Sequence, residues 1–260
     1  MEENKGIINN LSPKAAFKAG LVSGLLIIIV IGFFILLGVI LSGKLPIKNN
    51  NGANNAAANN NAVANNGQVA PSYDYAKMAT AAGADKNKFN SCFSAKKYTD
   101  KINAQSADAQ KAGAQGTPYA VIISGNTKVP IKGALPFADV KNLLDAVINN
   151  DATQLKTMTD DTIVIPAVDK NKDWIKGDKN ASISIVEYSD MQCPYCQRFH
   201  GTMIQVMDAY KDKINWIYRH FPLTSIHDYA MDLAQASECV GEISGNDAFW
   251  KFVDSSVQTQ

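Results

Sequence analysis

Two cysteines set two residues apart, Cys193 and Cys196, stand between a short β-branched run and a long helical period. No other feature narrows so much what this chain can fold into. The run Ile183-Ser184-Ile185-Val186 reads as a buried strand, because β-branched side chains fit a pleated surface. From Cys196 onward, Phe199, Met203, Val206, Met207 and Tyr210 recur mostly at spacings of three and four, as on one helix face. A C-x-x-C at a strand-to-helix turn favours thiol–disulfide chemistry. The competing reading is half a zinc site. That needs a second ligand pair, and Cys92 and Cys239 lie in separate helix-like segments with no histidine at zinc spacing.

The 260 residues suffice for one large domain or two small ones. With 25 basic against 24 acidic residues there is no broad cationic field, which argues against nucleic acid as a partner. Residues 21–41 carry no charge and are dominated by Leu, Ile, Val and Phe. A helix of about 20 residues crosses a ~30 Å hydrocarbon core. We therefore expect a short tail at 1–18 and a transmembrane anchor at 19–42. A cleaved signal peptide is the alternative, but the apolar run exceeds the ~7–15 residues of a signal core and no A-x-A-like site follows directly. Lys5, Lys14 and Lys18 precede the run, which favours a cytoplasmic N-terminus and an extracytoplasmic remainder. Residues 43–72, rich in Asn and Ala, read as a flexible linker.

Folded sequence starts near Tyr73. Helical spacing is expected around Tyr75–Ala82, between Asp85 and Tyr98, and on to Ala112. A strand (Tyr119 to Ile123), a Ser-Gly-Asn turn and a partner strand (Lys128 to Lys132) make a hairpin, followed by an amphipathic helix from Phe137 to Ile148. Residues 149–180 are polar and connecting, broken by Ile163-Val164-Ile165-Pro166 and by Trp174-Ile175. Then come a strand (Ser182 to Tyr188), the cysteine turn, a helix (Cys193 to Tyr210), a strand (Ile214 to Arg219) and helices around 229–240 and 247–257. Strands alternating with helices indicate an α/β domain.

Several motifs together resemble the DsbA-like thiol–disulfide oxidoreductases of the thioredoxin-fold superfamily. Glu187-x5-Cys193-Pro194-Tyr195-Cys196, Arg219-x-Phe221-Pro222-Leu223, Ala234-x4-Cys239 and Phe249-Trp250 resemble the first half of such proteins. Phe89-x2-Cys92, Gly116-Thr117-Pro118 and Gly133-Ala134-x-Pro136 resemble the second half. In that family the C-x-x-C half comes first; here it comes last. The expected architecture is a thioredoxin-like fold with a helical insertion over residues 73–260, its halves circularly permuted. Residues 73–150 resemble the family's C-terminal half, 151–177 connect, and 178–260 resemble its N-terminal half. The rival is a chain whose half-domains find partners on other chains.

Cys193 falls at the start of a helix, where unpaired N–H groups and the dipole favour a thiolate. Pro194 suits a first helical turn because it has no N–H to lose. Cys196, one turn deeper, is the expected resolving thiol. Tyr195 stands where the strongest oxidases carry histidine and offers no cationic help, so a less oxidising disulfide is expected. The resemblance implies that Glu187 is a buried carboxyl near Cys196, exchanging a proton with it; an edge glutamate in solvent is the alternative. It also implies a cis peptide at Thr117-Pro118 facing the cysteines, with an ordinary trans proline as alternative. Cys92 and Cys239 are either inert buried thiols or a structural disulfide near the proposed new termini; an oxidising compartment permits the disulfide. Asp190 is assigned to the turn. His200, His220 and His227 receive no role.

The function these expectations describe is a membrane-anchored, extracytoplasmic thiol–disulfide oxidoreductase at the cell membrane. It acts on exported polypeptides with free thiols, needs no cofactor or metal, and is recharged by a membrane quinone-linked thiol oxidase. A reductase or isomerase with the same site, and a non-catalytic peptide-binding or assembly module, are the alternatives.

Overall fold

The computed structural model describes residues 73–257. The expected tail, anchor and linker, residues 1–18, 19–42 and 43–72, lie outside the described residues. Among the described residues no helix is long and apolar enough to cross a membrane.

Three helices come first: α1 (Tyr75–Ala81), α2 (Lys86–Ser94) and α3 (Thr99–Lys111). The hairpin β1 (Tyr119–Ser124) and β2 (Thr127–Lys132) follows, then α4 (Phe137–Ile148) and α5 (Ala152–Met158). The remainder is β3 (Trp174–Gly177), β4 (Ile183–Ser189), α6 (Pro194–Tyr210), a 3-10 turn, β5 (Ile214–His220), α7 (Ala230–Ser244) and α8 (Asn246–Ser256). The strands form one sheet in the order β2-β1-β4-β5-β3. β4 and β5 are parallel; every other neighbouring pair is antiparallel.

Both faces of the sheet are covered, and the side chains divide with the strand's period of two. On one face Ala120 and Ile122 of β1, Ile185 of β4 and Trp216 and Tyr218 of β5 pack with Leu144 of α4, Phe199 and Met203 of α6 and Phe249 of α8. On the other face Tyr119, Val121, Val186, Tyr188 and Ile217 pack with Ala109 and Ala112 and with Ile163 and Phe221. A strand buried on both sides needs apolar residues at consecutive positions. Isoleucine and valine at Ile185 and Val186 supply them at the sheet's centre.

The segments on either side of the connector meet within this one sheet, because β1 pairs with β4 from Tyr119↔Tyr188 to Ser124↔Ile183. A polar seam joins α3 to α7. Gln235 accepts from the Tyr98 N–H at 3.0 Å and donates to Thr99 at 2.6 Å, and Lys101 lies 2.8 Å from the buried Glu238 carboxylate. Desolvation alone would raise the Glu238 pKa; the His220 hydrogen bond and charge, with Lys101, more than offset it and hold the group below its usual value. Cys92 of α2 and Cys239 of α7 form a disulfide with Cα atoms 5.9 Å apart.

The connector carries more structure than the sequence reading assigned to it. Residues 149–180 hold α5 and, at the two apolar breaks, a core side chain, Ile163, and the strand β3. Lys128 donates to the Ile163 carbonyl at 2.7 Å, and Arg219 bonds the Pro166 and Ala167 carbonyls and Asp173. The physical reason is that the second face of the sheet requires a cover, and the connector supplies it. β3 itself is held by stacking of Trp174 on Phe249, centroids 4.7 Å apart. Gly241 of α7 admits that indole, since a Cβ there would fall inside the Trp174 ring.

The disulfide closes 147 residues of chain, so its removal frees a large loop in the unfolded state. A Cys92→Ser, Cys239→Ser double variant should lose about 2–5 kcal/mol of stability. Urea unfolding followed by circular dichroism checks this; an unchanged midpoint contradicts it.

Candidate functional site

β4 runs from the centre of the sheet straight into the cysteine turn. The Asp190 side chain shapes that turn by accepting from the Gln192 N–H at 2.8 Å, while the Asp190 carbonyl accepts from the Cys193 N–H at 3.1 Å. Cys193 is the N-cap residue of α6, with φ −71° and ψ 122°, and Pro194 is the first helical residue. The helix therefore begins one position later than the sequence suggests, and this matters chemically. An N-cap side chain points back at the N–H groups two and three residues on. As a thiol Cys193 makes no capping hydrogen bond. As a thiolate it is the acceptor that position favours.

The Cys193 pKa is lowered from 9.0 to about 5. The largest cause is the hydrogen bond from the Cys196 thiol; burial opposes it, and Thr117 and the Cys196 and Tyr195 N–H groups add to it. Cys196 goes the other way. It is 2% exposed, and burial raises its pKa, helped by the negative charge at Cys193 and by Glu187. Two thiols in one turn are thus driven apart, one towards thiolate and one towards thiol.

Glu187 lies on central β4, opposite Ala120 of β1 and Tyr218 of β5, so it is not an edge residue. It is 1% exposed and accepts from the Trp216 indole N–H at 2.8 Å. Burial raises its pKa against the opposing effects of Ser189, His200 and Trp216.

The other wall comes from the segment before β1. Thr117-Pro118 is a cis peptide. The Cys193 thiol donates to the Thr117 carbonyl at 3.6 Å. The Thr117 hydroxyl is buried with no partner other than Cys193, whose thiolate it favours. The Pro118 carbonyl accepts from Gly133 at 3.0 Å, which holds the turn against the end of β2. An open groove runs beside it, lined by Gln115, Gly116, Thr117, Pro118 and Lys132. In the cysteine turn Tyr195 is 58% exposed, with the Arg198 guanidinium 4.8 Å from its ring centroid.

Cys193, Cys196, Glu187, Thr117 and Pro118 thus come together, with Pro194 and Tyr195 in the turn. Cys92 and Cys239 are elsewhere, in the helical layer. His200 bonds Asp254 at 2.8 Å, with its ring 5.0 Å from that of Trp216. The sequence reading gave no role to His227 and no site role to Trp216, a core residue that is also the donor to Glu187. Its place two residues before Tyr218, the β5 partner of Glu187, is a signal that strand register supplies and sequence spacing does not.

Comparison with known proteins adds two matches. A family model described as DSBA-like thioredoxin domain matches residues 52–145, and one described as Thioredoxin matches residues 169–260. Their order along the chain is unusual. The Na(+)/H(+) antiporter NhaA 1 of Salinispora arenicola is 34% identical over 92 residues, 35% of this chain and 13% of the antiporter. NhaA 1 of Mycobacterium sp. (strain KMS) is 42% identical over 77 residues, 30% of this chain and 12% of that protein. This chain therefore spans roughly an eighth of the length of these curated relatives. No solved structure matches.

The reduced protein should show thiolate absorbance near 240 nm titrating at about 5. Because the Cys196 thiol is the largest cause of that value, Cys196→Ala should move the titration of Cys193 up by more than one pH unit. An unmoved midpoint would assign the low value to the helix terminus alone.

Proposed function

We propose, for a chain that is a DsbA-like thioredoxin-fold protein of the thiol–disulfide oxidoreductase kind, that the Cys193-Pro194-Tyr195-Cys196 pair donates its disulfide to exported polypeptides. The observation that carries this reading is the placement of the low-pKa Cys193 against the carbonyl of Thr117, beside an open groove. A thiol so acidic is a good leaving group, and good leaving thiolates make oxidising disulfides.

The steps balance as follows. A substrate thiolate attacks Cys193 Sγ of the disulfide, and the S–S electron pair departs on Cys196. Cys196 then takes a proton, consistent with its raised pKa, and Glu187 is the buried group placed to exchange it. A second substrate thiolate attacks the substrate sulfur of the mixed disulfide, and Cys193 leaves as a thiolate. The substrate loses two electrons and the cysteine pair gains them. Gly116, Thr117 and Pro118 offer backbone to an extended peptide along the groove.

A membrane oxidase of the quinone-linked kind is the proposed acceptor of those electrons, and the apolar run at 21–41 the proposed anchor that holds the domain outside the cytoplasm. We also read the order of the two halves as a circular permutation closed within one chain. The β1–β4 pairing supports this, and a monomeric segment of residues 73–260 by light scattering would support it further. Obligate dimers would favour exchange of halves between chains.

Refolding of reduced ribonuclease by the oxidised protein should be abolished by Cys193→Ser; activity surviving that change refutes the reading. A protein that reduces insulin but does not oxidise ribonuclease would instead place it among reductases. Between pH 5 and the Cys196 pKa, reduction takes up one proton per two electrons. The reduction potential should therefore fall by about 30 mV per pH unit there, and by about 59 mV per unit below pH 5, where both thiols are protonated. Glutathione equilibration across pH checks the break.

A further inference from the structure

Asp190 does more than shape a turn. Its backbone N–H donates to Cys196 Sγ at 3.4 Å, and its carbonyl accepts from the Cys193 N–H at 3.1 Å. One residue thus contacts both halves of the dithiol through its main chain. Its carboxylate is fully buried and is gripped by three donors. One is local, the Gln192 N–H at 2.8 Å. Two come from the loop after β5: the Leu223 N–H at 2.8 Å and His227 Nδ1 at 2.7 Å. Both meet Oδ2, and because an ionised carboxylate only accepts, Nδ1 of His227 is the donor to it. The same loop is tied a second time, where the Gln192 side chain accepts from the Tyr229 N–H at 2.7 Å.

We infer that His227 is a positioning residue for disulfide opening: by clamping the Asp190 carboxylate it holds the Asp190 N–H on Cys196 Sγ, where negative charge arrives when the disulfide opens. The inference rests on the proposed redox reading of the same cysteines. When a thiolate attacks Cys193, the S–S bond breaks and its electron pair goes to Cys196. The donors in place at that sulfur decide how well it leaves. The described state holds both cysteines as free thiols, so the N–H···S contact is the one present after opening. The carbonyl of the peptide that carries this N–H, Ser189 O, accepts from the Phe221 N–H at 2.8 Å, and the Asp190 side chain is held by Gln192, Leu223 and His227. Of these donors only His227 acts through its side chain, so it is the one a substitution can remove.

A hydrogen bond to a charged group is worth on the order of tenfold or more in a rate that depends on it. His227→Ala should therefore slow opening of the Cys193–Cys196 disulfide by dithiothreitol about tenfold. His227→Asn, whose amide N–H takes the place of Nδ1–H, should restore the rate to within about threefold. The full-length oxidised protein is mixed with dithiothreitol, acid-quenched at intervals and alkylated, and the modified cysteines are counted by mass. Circular dichroism accompanies each variant, since a merely structural role would lower both variants' rates together with their folded signal, and that result overturns the inference. Equal rates in wild type, His227→Ala and His227→Asn overturn it too. If His227→Ala does not fold, His227→Gln takes its place: it fills the site but carries its amide beyond the reach of Nδ1, and an unimpaired rate in it again overturns the inference. Should the wild-type disulfide open readily yet ribonuclease refolding fail, the redox reading falls while the role of His227 in opening stands.

Discussion

The antiparallel register of β1 on β4 is the constraint on which the site depends. It sets Tyr119 opposite Tyr188 and Ala120 opposite Glu187. Thr117-Pro118 ends just before β1, and the cysteine turn begins just after β4, so that register alone brings the two to the same edge of the sheet. A slip by one residue would turn every side chain of β1 to the wrong face. It would take Ala120 and Ile122 out of one core and Tyr119 and Val121 out of the other. Register is therefore fixed by burial on both faces; it brings Thr117 and Cys193 together, and the bonds of Gly133 to Pro118 and of Gln192 and Cys193 to Asp190 set the contact.

Within that frame the two thiols acquire opposite characters chiefly from each other and from burial: the Cys196 thiol donates to Cys193, and burial holds Cys196 protonated. Cys193 occupies an N-cap, where the backbone offers donors and a thiolate accepts them. Cys196 lies beneath, cut off from solvent and facing the same side as Glu187. The helix contributes its unpaired N–H groups to the first and its bulk to the second. No cation beside Cys193 is needed for this separation, which is why tyrosine in the middle of the motif is compatible with an acidic nucleophile.

Much of this was legible in the residues. The β-branched runs at 119–123 and 183–186 mark β1 and β4, and the period of Phe199, Met203 and Val206 marks α6. What escaped depends on pairing between distant segments. β3 has four residues and no alternation; its identity rests on antiparallel pairing with β5 and on stacking against Phe249. The run Ile163-Val164-Ile165-Pro166 stood out as apolar in a polar stretch, but its role did not, because the face Ile163 covers belongs to strands elsewhere. His227 sits 37 residues from Asp190, and no local spacing links them. Cys193 as N-cap rather than first-turn residue is a one-residue boundary difference, the kind that only cap geometry resolves.

The Trp216–Glu187 hydrogen bond fixes where charge can rest beneath the site. Trp216 is fully buried, and its indole N–H donates to Glu187 in the sheet under the cysteines. Negative charge on that carboxyl pushes the Cys196 pKa up and so keeps a proton on the resolving thiol. The indole therefore bears on Cys196 at one remove: by anchoring the carboxyl, it sets the distance at which that charge acts on the sulfur.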